Sequence, residues 1–330
     1  MAAVSDRPPA PVRKELEGLR AALDEVVPAK RLDHNLLVAT WNLRAFGGLT
    51  ERWEAGDDDS PKRDLRSLVA IAEIASRFDV VALQEVRGDL KALRHLLRSL
   101  GDHWGLILTD VTRGHKGNDE RMAFLFDTRR LRLSGLAAEL VLPEEWKGVA
   151  LGDRALRQFA RTPYAVSFLA GGRGYRQTFI LVTVHIVYGD DAGDRTPELA
   201  ALADWAATMA RDVNSYDQNL IVLGDFNIER AGDANYQAFV STGLQVPAEL
   251  VDFPRTLPGA GGKTTFYDQI AWFAGEGGVP ALSLHYSGRA GIFDFVGHVY
   301  PQLSAQELSW RVSDHYPLWV EFLTNPPEAG

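Results

Sequence analysis

Apolar runs of strand length recur along the whole chain, and helical patterns separate only some of them. The runs at residues 104–109 and 121–127 follow each other directly, as do those at 164–169 and 177–185. Parallel neighbours need a long crossover, usually a helix, so these pairs predict antiparallel strands. Helical patterns separate several of the other runs, as in α/β folds. The sequence therefore predicts an α/β fold with two mixed β-sheets, packed together with helices outside so that both strand faces are buried.

Helical patterns begin at residues that are typical of helix starts. Ser60, Asp89 and Thr196 each precede apolar residues at helical spacing, so we expect helices to begin there. An earlier leucine pattern predicts one helix in an N-terminal extension, residues 1–30. That helix could pack on the outside of the domain, which we favour, or bind a partner protein. No low-complexity linker divides the rest, so residues 31–325 are predicted to form one domain.

Composition limits the classes of function. The 44 acidic residues outnumber the 35 basic ones, and the formal charge of -9 argues against holding nucleic acid by bulk electrostatics. A nuclease is still compatible, because a bound cation reverses the local field of a carboxylate site. The chain has no cysteine, which excludes disulfides, thiolate nucleophiles and cysteine-based zinc sites. No apolar run resembles a signal peptide or a membrane span. We therefore expect a cytoplasmic protein without membrane contact, and no partner protein is evident.

Polar residues follow two of the apolar runs at the point where a strand should end. The run VVAL is followed by Gln84 and Glu85, and LLVAT is followed by Trp41 and Asn42. A carboxylate at the mouth of a buried strand is costly unless something compensates it, and a divalent cation does so well. A nearby arginine could compensate Glu85 instead, and Asn42 could be a turn residue. Glu85 is therefore a candidate metal ligand, and Asn42 is a candidate site residue.

The segment IVLGDFN gives a sharper signal. Gly224 lets the backbone come close to a neighbouring strand, and Asp225 and Asn227, two residues apart, point the same way. A carboxylate beside an amide can hold a water molecule and a phosphate oxygen together. The alternative is an Asx-turn at a strand end.

Histidines accompany aspartates at further strand boundaries. Asp314 and His315 precede the last strand, and they supply an anion or metal ligand and a group that titrates near neutral pH. Asp268 opens another strand and is available to orient an imidazole. His185 ends the run LVTV, where a lone histidine is more often structural than catalytic. So many polar groups at strand ends predict an active site.

The ordered set TWNLR, LQEVR, VH, GDFN, YDQI and SDHYP resembles the endonuclease/exonuclease/phosphatase superfamily, in particular its deoxyribonuclease-I-like branch. The resemblance spans about residues 36–323. It implies a four-layer α/β sandwich, with two mixed β-sheets face to face and helices outside. It also implies a metal-dependent phosphodiesterase that uses Mg²⁺, for which Mn²⁺ could substitute.

The resemblance assigns roles to the residues around the reacting phosphate. Glu85 matches the principal Mg²⁺ ligand, and Asn42 and Asp314 match metal or phosphate contacts. Asp225 matches the residue that orients or deprotonates the attacking water, and Asn227 matches a phosphate contact.

The resemblance also assigns the histidines. His315 matches the histidine on the scissile phosphate, and Asp268 matches its orienting carboxylate. His185 matches a second histidine of the deoxyribonuclease-like branch, whose partner there is a glutamate just before a strand. Glu120 stands at that place, so we hypothesise that it pairs with His185.

Three features shared with the deoxyribonuclease-like branch indicate a DNA substrate. Arg87 lies two residues beyond the metal ligand, where it would reach DNA, although it could equally pair with an acidic neighbour. Thr265, within Thr264-Thr265-Phe266-Tyr267-Asp268, offers a hydroxyl to a phosphate, and SDHYP matches to the letter. A DNA endonuclease is favoured. The alternatives are a phosphatase or phosphodiesterase on a small or lipid-linked phosphate, such as an inositol phosphate or sphingomyelin, and a non-catalytic binding module.

Overall fold

A computed structural model describes residues 3–113, 117–144, 150–151, 154–155, 158–172, 175–212, 214–258 and 265–324. The helices are α1 (Ala10–Val26), α2 (Leu65–Ala75), α3 (Lys91–Leu100), α4 (Thr196–Arg211), α5 (Ala234–Val240) and α6 (Ala305–Arg311). The strands are β1 (Asn35–Phe46), β2 (Val80–Arg87), β3 (Trp104–Leu108), β4 (Glu120–Asp127), β5 (Leu131–Glu139), β6 (Ala150–Leu151), β7 (Arg154–Ala155), β8 (Tyr164–Gly172), β9 (Tyr175–His185), β10 (Leu220–Asp225), β11 (Leu244–Gln245), β12 (Asp268–Phe273), β13 (His285–Ile292) and β14 (Leu318–Leu323).

Two mixed six-stranded sheets make up the centre of the molecule. The first sheet has the order β13-β14-β1-β2-β4-β3, and the second has the order β11-β12-β10-β9-β8-β5. Each contains one parallel pair, β1 with β2 and β9 with β10, and antiparallel strands flank that pair. Phenylalanines from both sheets meet between them, as Phe124 of β4 does with Phe168 of β8. The predicted sandwich of two face-to-face mixed sheets is confirmed.

The topology brings many strand ends to one edge of the sandwich. Parallel strands β1 and β2 end there, and β14 and β4, antiparallel to them, start there. In the second sheet β9 and β10 end at the edge where β12 starts, so that Asp225 is paired with His185 on one side and Asp268 on the other. Residues far apart in the sequence therefore form one row because of strand direction alone.

The N-terminal helix packs on the first sheet's side of the molecule. Leu16, Leu19 and Leu23 of α1 are buried and belong to the same apolar core as α2 and the strands of the first sheet. This agrees with the favoured interpretation of a helix on the outside of the domain. The division at residue 30 stays a prediction. Among the described helices, none combines the length and the apolar character that crossing a bilayer would require.

Two predicted helix starts are displaced in the structure. Helix α2 begins at Leu65 and not at Ser60, because the Asp64 carboxylate accepts a hydrogen bond from the Ser67 amide and forms the cap. Helix α3 begins at Lys91, whose amide donates to the Asp89 carboxylate at 2.9 Å. The start of α4 at Thr196 is confirmed.

Several elements carry too little apolar signal to be predicted. Strands β5 and β13 are edge strands with many exposed residues, and each is irregularly paired near a glycine, Gly135 or Gly288. Edge strands bury only part of one face, so their sequences alternate weakly. Helices α5 and α6 are seven residues long, too short for a clear helical period.

Candidate active site

One amide side chain joins the two sheets at the edge where their strand ends converge. Asn42 is completely buried, and its Nδ2 donates to Glu85 Oε1 and to Asp225 Oδ2, both at 3.0 Å. Glu85 belongs to the first sheet and Asp225 to the second. The Asn42 amide uses both of its N–H groups in these contacts, which fixes the two carboxylates relative to each other.

Irregular backbone presents Glu85 to the cleft. The register between β1 and β2 shifts between Asn42 and Phe46, as at a β-bulge. The register between β2 and β4 shifts in the same way between Leu83 and Val86. Glu85 has a positive φ of 60°, and Ala45, whose amide donates to Glu85 Oε2 at 2.8 Å, has a φ of 50°. Each such conformation costs about 1–3 kcal/mol in a residue other than glycine, and it persists where the surroundings enforce it. Bulges of this kind re-aim a side chain beside a site.

A buried arginine supports this backbone from behind. The Arg63 guanidinium donates to five carbonyl oxygens, those of Leu43, Arg44, Ala45, Arg311 and Val312. Burial lowers its pKa to about 10, opposed by the negative charges of Glu85 and Asp314. Arg63 therefore ties the C-terminal part of β1 to the end of α6 and places a positive charge behind the acidic residues.

Asp314, like Glu85, lies close enough to Arg63 for its charge to raise the pKa of that guanidinium. Its Oδ2 is 3.2 Å from Arg44 Nη1, whereas its buried Oδ1 has no hydrogen-bond partner among the described residues. A buried carboxylate oxygen normally finds a donor or a cation. The Oδ1 atom is thus available to a cation in the cleft.

The pair of Asp268 and His315 is the most tightly held part of the site. His315 Nδ1 is 2.6 Å from Asp268 Oδ2, and both side chains are buried. Burial opposes protonation of the imidazole, but Asp268, with help from Asp225 and Asp314, raises the pKa of His315 well above its ordinary value. Burial also raises the pKa of Asp268 to about 6, against the opposing charge of His315. The imidazole is therefore held in a charged state with Nδ1 committed to Asp268.

Backbone contacts fix the position of His315. Trp41 Nε1 donates to the His315 carbonyl at 2.9 Å, and the Ser313 hydroxyl both accepts from the His315 amide and donates to the Asn42 carbonyl. These bonds explain why serine precedes the Asp-His pair: its hydroxyl ties the segment before β14 to the end of β1.

The second histidine lies beside Glu120, the residue that the family resemblance suggests as its partner. His185 Nδ1 is 3.3 Å from Glu120 Oε2, without the alignment of a directed hydrogen bond. Glu120 also contacts Arg161 Nε at 2.8 Å and Arg87 Nη2 at 3.2 Å. Burial acts to raise the pKa of Glu120, but these positive neighbours and His185 outweigh it and lower the pKa. Glu120 is therefore an ionised carboxylate behind His185.

Asp225 lies between the two imidazoles. Its Oδ2 is 3.7 Å from His185 Nε2 and 3.9 Å from His315 Nε2. Burial acts to raise the pKa of Asp225, but the two histidines and the Asn42 amide outweigh it and hold the pKa below its ordinary value. An ionised carboxylate flanked by two imidazoles can accept a proton from a molecule in the cleft.

Close backbone approach makes this arrangement achievable. Gly224 has a φ of 144°, and a Cβ there would lie 2.1 Å from the Val184 carbonyl oxygen, so only glycine fits. The Asn227 amide donates to Asp225 Oδ1 at 2.9 Å, and its side-chain Nδ2 donates to the Ile186 carbonyl at 2.7 Å. Asn227 is thus oriented against the residue that follows β9, and its second side-chain N–H has no acceptor among the residues that the structure describes.

Most of the predicted site residues meet at this edge, namely Asn42, Glu85, Glu120, His185, Asp225, Asn227, Asp268, Asp314 and His315. Thr265 lies near His315. Its hydroxyl is 2.9 Å from the hydroxyl of Thr256, and Thr256 forms an isolated antiparallel β-bridge with His315. Arg87 forms an ion pair with Glu120 and donates to the Asn118 carbonyl. This is the alternative given for Arg87 in the sequence, in which it pairs with an acidic neighbour. Thr264 lies outside the described residues.

Two site residues were not identified from the sequence. Arg161 contacts Glu120, and Tyr267 has its ring 6.0 Å from the His315 ring. Arg161 lies three residues before β8 and Tyr267 directly before β12, so a wider search of strand boundaries would have found both. Arg63 does not stand at a strand boundary, so the same search would not have identified it as a buried residue beneath the site.

The oxygen ligands of the site suit a hard divalent cation. No three acidic or histidine side chains within the described ranges converge into a complete metal-binding group. Mg²⁺, however, is commonly held by one or two carboxylates and keeps several waters. The carboxylate of Glu85 and the unpartnered Asp314 Oδ1 supply such oxygens, and Asn42 lies against Glu85. The residues present therefore fit Mg²⁺.

The two-sheet fold and its acidic, histidine-bearing edge define a class of hydrolases that act on phosphoester bonds. A sequence model of the Endonuclease/Exonuclease/phosphatase family matches residues 39–315, which is most of the chain. The chain belongs to this family, and the predicted family is confirmed.

Individual relatives cover most of the chain. A protein named "Deoxyribonuclease" from Thioalkalivibrio sp. (strain K90mix) is 29% identical over 301 residues, which are 88% of this chain and 72% of that protein. The mannosyl-6-phosphatase Bt3783 of Bacteroides thetaiotaomicron VPI-5482 has a TM-score of 0.55 at 18% identity, covering 87% of this chain and 99% of that chain. TDP2 of D. rerio, complexed with single strand DNA product, has a TM-score of 0.53 at 13% identity, covering 87% and 98%. The two structural likenesses show the fold alone.

Proposed function

We propose that this protein is a metal-dependent phosphodiesterase, and specifically an endonuclease that hydrolyses DNA by in-line attack of water. The observation that carries the proposal is the ionised Asp225 between two imidazoles, beside a pair of carboxylates suited to a cation. The relative named "Deoxyribonuclease" supports a nucleic acid substrate, and TDP2, whose structure contains a DNA product, shares the fold.

The water molecule would be activated by Asp225. Its carboxylate is ionised, and Asn42 and the Asn227 amide hold it in one orientation. A water hydrogen-bonded to Asp225 would be directed at the phosphorus, and Asp225 Oδ2 would take its proton as the oxygen–phosphorus bond forms. The spare N–H of Asn227 would bind a phosphate oxygen next to that water.

The histidines would stabilise the charges that develop on the phosphate and on the leaving oxygen. His315 is protonated because of Asp268, so its Nε2–H would bind a nonbridging phosphate oxygen on which negative charge develops. His185, backed by Glu120, would protonate the leaving oxygen as its bond to phosphorus breaks. Mg²⁺, held by Glu85, Asp314 and Asn42, would neutralise charge on the phosphate.

A smaller substrate is the second candidate. The formal charge of -9 favours a small-molecule or lipid-linked phosphate, such as an inositol phosphate or sphingomyelin, over a long polyanion. Mannosyl-6-phosphatase Bt3783 shares the fold at 18% identity. The cytoplasmic location stays a prediction.

A substrate panel tests the choice. We expect nicking of plasmid DNA with Mg²⁺ or Mn²⁺, no nicking with chelator, and loss of at least about a hundredfold in rate for Glu85→Ala. Abasic duplex, single-stranded DNA, RNA, inositol phosphate and sphingomyelin complete the panel. Glu17→Ala, at an exposed position of α1, is the matched control and should behave as wild type. Hydrolysis of the small phosphates alone would reverse the ranking.

Glu120→Gln tests the proposed support of His185. Removing the carboxylate's charge leaves Arg161 and Arg87 without their partner and frees the imidazole to turn, so we expect turnover to fall at least about tenfold at saturating metal. Asp119→Asn, at the exposed preceding residue, is the control. Full turnover of Glu120→Gln would show that the pairing has no role in the reaction.

A further inference from the structure

An exposed tryptophan lies beside the proposed metal site. Of the seven tryptophans within the described ranges, Trp310 alone is largely exposed, with 49% of its surface accessible. It lies near the end of α6, four residues before Asp314. A large ring that is not used in the core is more often used in a contact.

Arg44 connects this ring to the site. Its guanidinium carbon lies 3.8 Å from the centre of the Trp310 ring, and its Nη1 is 3.2 Å from Asp314 Oδ2. The same Nη1 donates to the Ser309 hydroxyl at 2.6 Å, so the guanidinium is held on both sides. One guanidinium therefore spans the distance from the proposed metal ligand to the indole.

A cavity opens next to these two side chains. It measures about 370 Å³ and lies between Arg44, Trp310 and the segment 60–63. This volume falls in the range of small-ligand pockets, and it can contain a nucleobase with its sugar. Arg63, which lines this cavity, is held in place by hydrogen bonds to five backbone carbonyls. Lys62, whose ammonium donates to the carbonyls of Gly56 and Asp57, adds a further positive charge.

We propose that Trp310 and Arg44 form a stacking subsite for the nucleobase of the nucleotide next to the scissile phosphate. An aromatic face, two cations and a nucleoside-sized cavity suit a planar base attached to a phosphate. This inference rests on the proposed function and deepens it, since a sugar or inositol phosphate offers no π face. Because every base has such a face, the subsite would tolerate any sequence. The competing account is a surface cation–π contact without a ligand, which is common in proteins.

Binding to two matched oligonucleotides tests the subsite. One is a DNA strand of twelve thymidines, and the other has the same backbone with tetrahydrofuran in place of every nucleoside. Affinities are measured with Mg²⁺ in the Asp225→Asn background, so that turnover does not interfere. We expect Trp310→Ala to weaken binding of the base-bearing strand about tenfold and to leave the base-free strand unchanged. Trp310→Phe should retain most of the affinity, and Tyr216→Ala, at another exposed aromatic, should have no effect.

The outcomes separate this inference from the proposed function. Equal weakening of both strands by Trp310→Ala, no weakening of either, or no measurable binding at all would overturn the subsite. Base-dependent binding through Trp310 in a protein that cleaves no DNA would support the subsite and overturn the endonuclease. Cleavage of DNA together with base-independent binding would support the endonuclease and overturn the subsite.

Discussion

Replacing Asp225 by asparagine is expected to lower the rate of phosphodiester hydrolysis by about a thousandfold, within the usual range for loss of a general base. Asparagine has nearly the same shape and can still accept a hydrogen bond from the Asn227 amide. It cannot take a proton, and it leaves the two neighbouring imidazoles without the anion between them. The measurement is kcat on the best substrate of the panel at saturating metal.

Its control is Asp102→Asn, at an exposed turn after α3, which should leave kcat unchanged. Substrate affinity of Asp225→Asn should stay within a few fold of wild type, since the charge acts on the water and not on the phosphate. A kcat within about tenfold of wild type would remove Asp225 from the role of base.

The second large effect is expected at the Asp268–His315 pair. Asp268→Asn should lower kcat by at least about a hundredfold, because the imidazole loses both its orienting partner and the anion that keeps it protonated. Asp268 raises the pKa of His315 in the folded protein, so its removal lowers that pKa. The imidazolium is then lost at a lower pH. The alkaline limb of the pH–rate profile should therefore move to lower pH in Asp268→Asn.

A double variant distinguishes a coupled pair from two independent residues. His315→Ala should cost about as much as Asp268→Asn, and the double variant little more than either, because the two residues act as a unit. Multiplying effects, or an unmoved pH–rate profile in Asp268→Asn, would contradict the pairing. His315→Ala leaves a buried carboxylate without its partner, so its folding must be checked by thermal unfolding.

The sequence predicted the parts of the site that depend on strand direction. Asp225 ends a buried strand, but Asn227 lies beyond it with a positive φ of 52°, and its amide donates to Asp225 Oδ1 as in an Asx-turn, the alternative interpretation of this segment. Asp268 and His315 stand at strand starts, so an antiparallel arrangement brings them to the same edge. The pairing of Glu120 with His185 came from the family resemblance, and the structure brings these residues within 3.3 Å.

Other features depend on contacts that local sequence does not encode. The five carbonyls bound by Arg63 come from residues 43–45 and from residues 311 and 312, and the second segment is about 250 residues from Arg63 in the sequence. The sequence near Arg63 therefore gives no indication of these contacts. The pairing of Arg87 depends on where the β2–β4 register places Glu120. The start of α2 was misplaced because Ser60 and Asp64, both good capping residues, lie close together in the sequence. The capping box between Asp64 and Ser67 decides in favour of Asp64 as the cap.

The contact of Asn42 with both carboxylates has a mechanical consequence. Asn42 and Glu85, two of the residues proposed to hold the cation, belong to one sheet, and Asp225, proposed to activate water, belongs to the other. Hydrogen bonds within a sheet cannot fix the distance between these halves, so it depends on the layer of side chains packed between the sheets and on the Asn42 amide. A substitution in that layer, such as at Phe168, can therefore misalign the reacting groups while the protein remains folded. Turnover is then a more sensitive gauge of the interlayer packing than stability is.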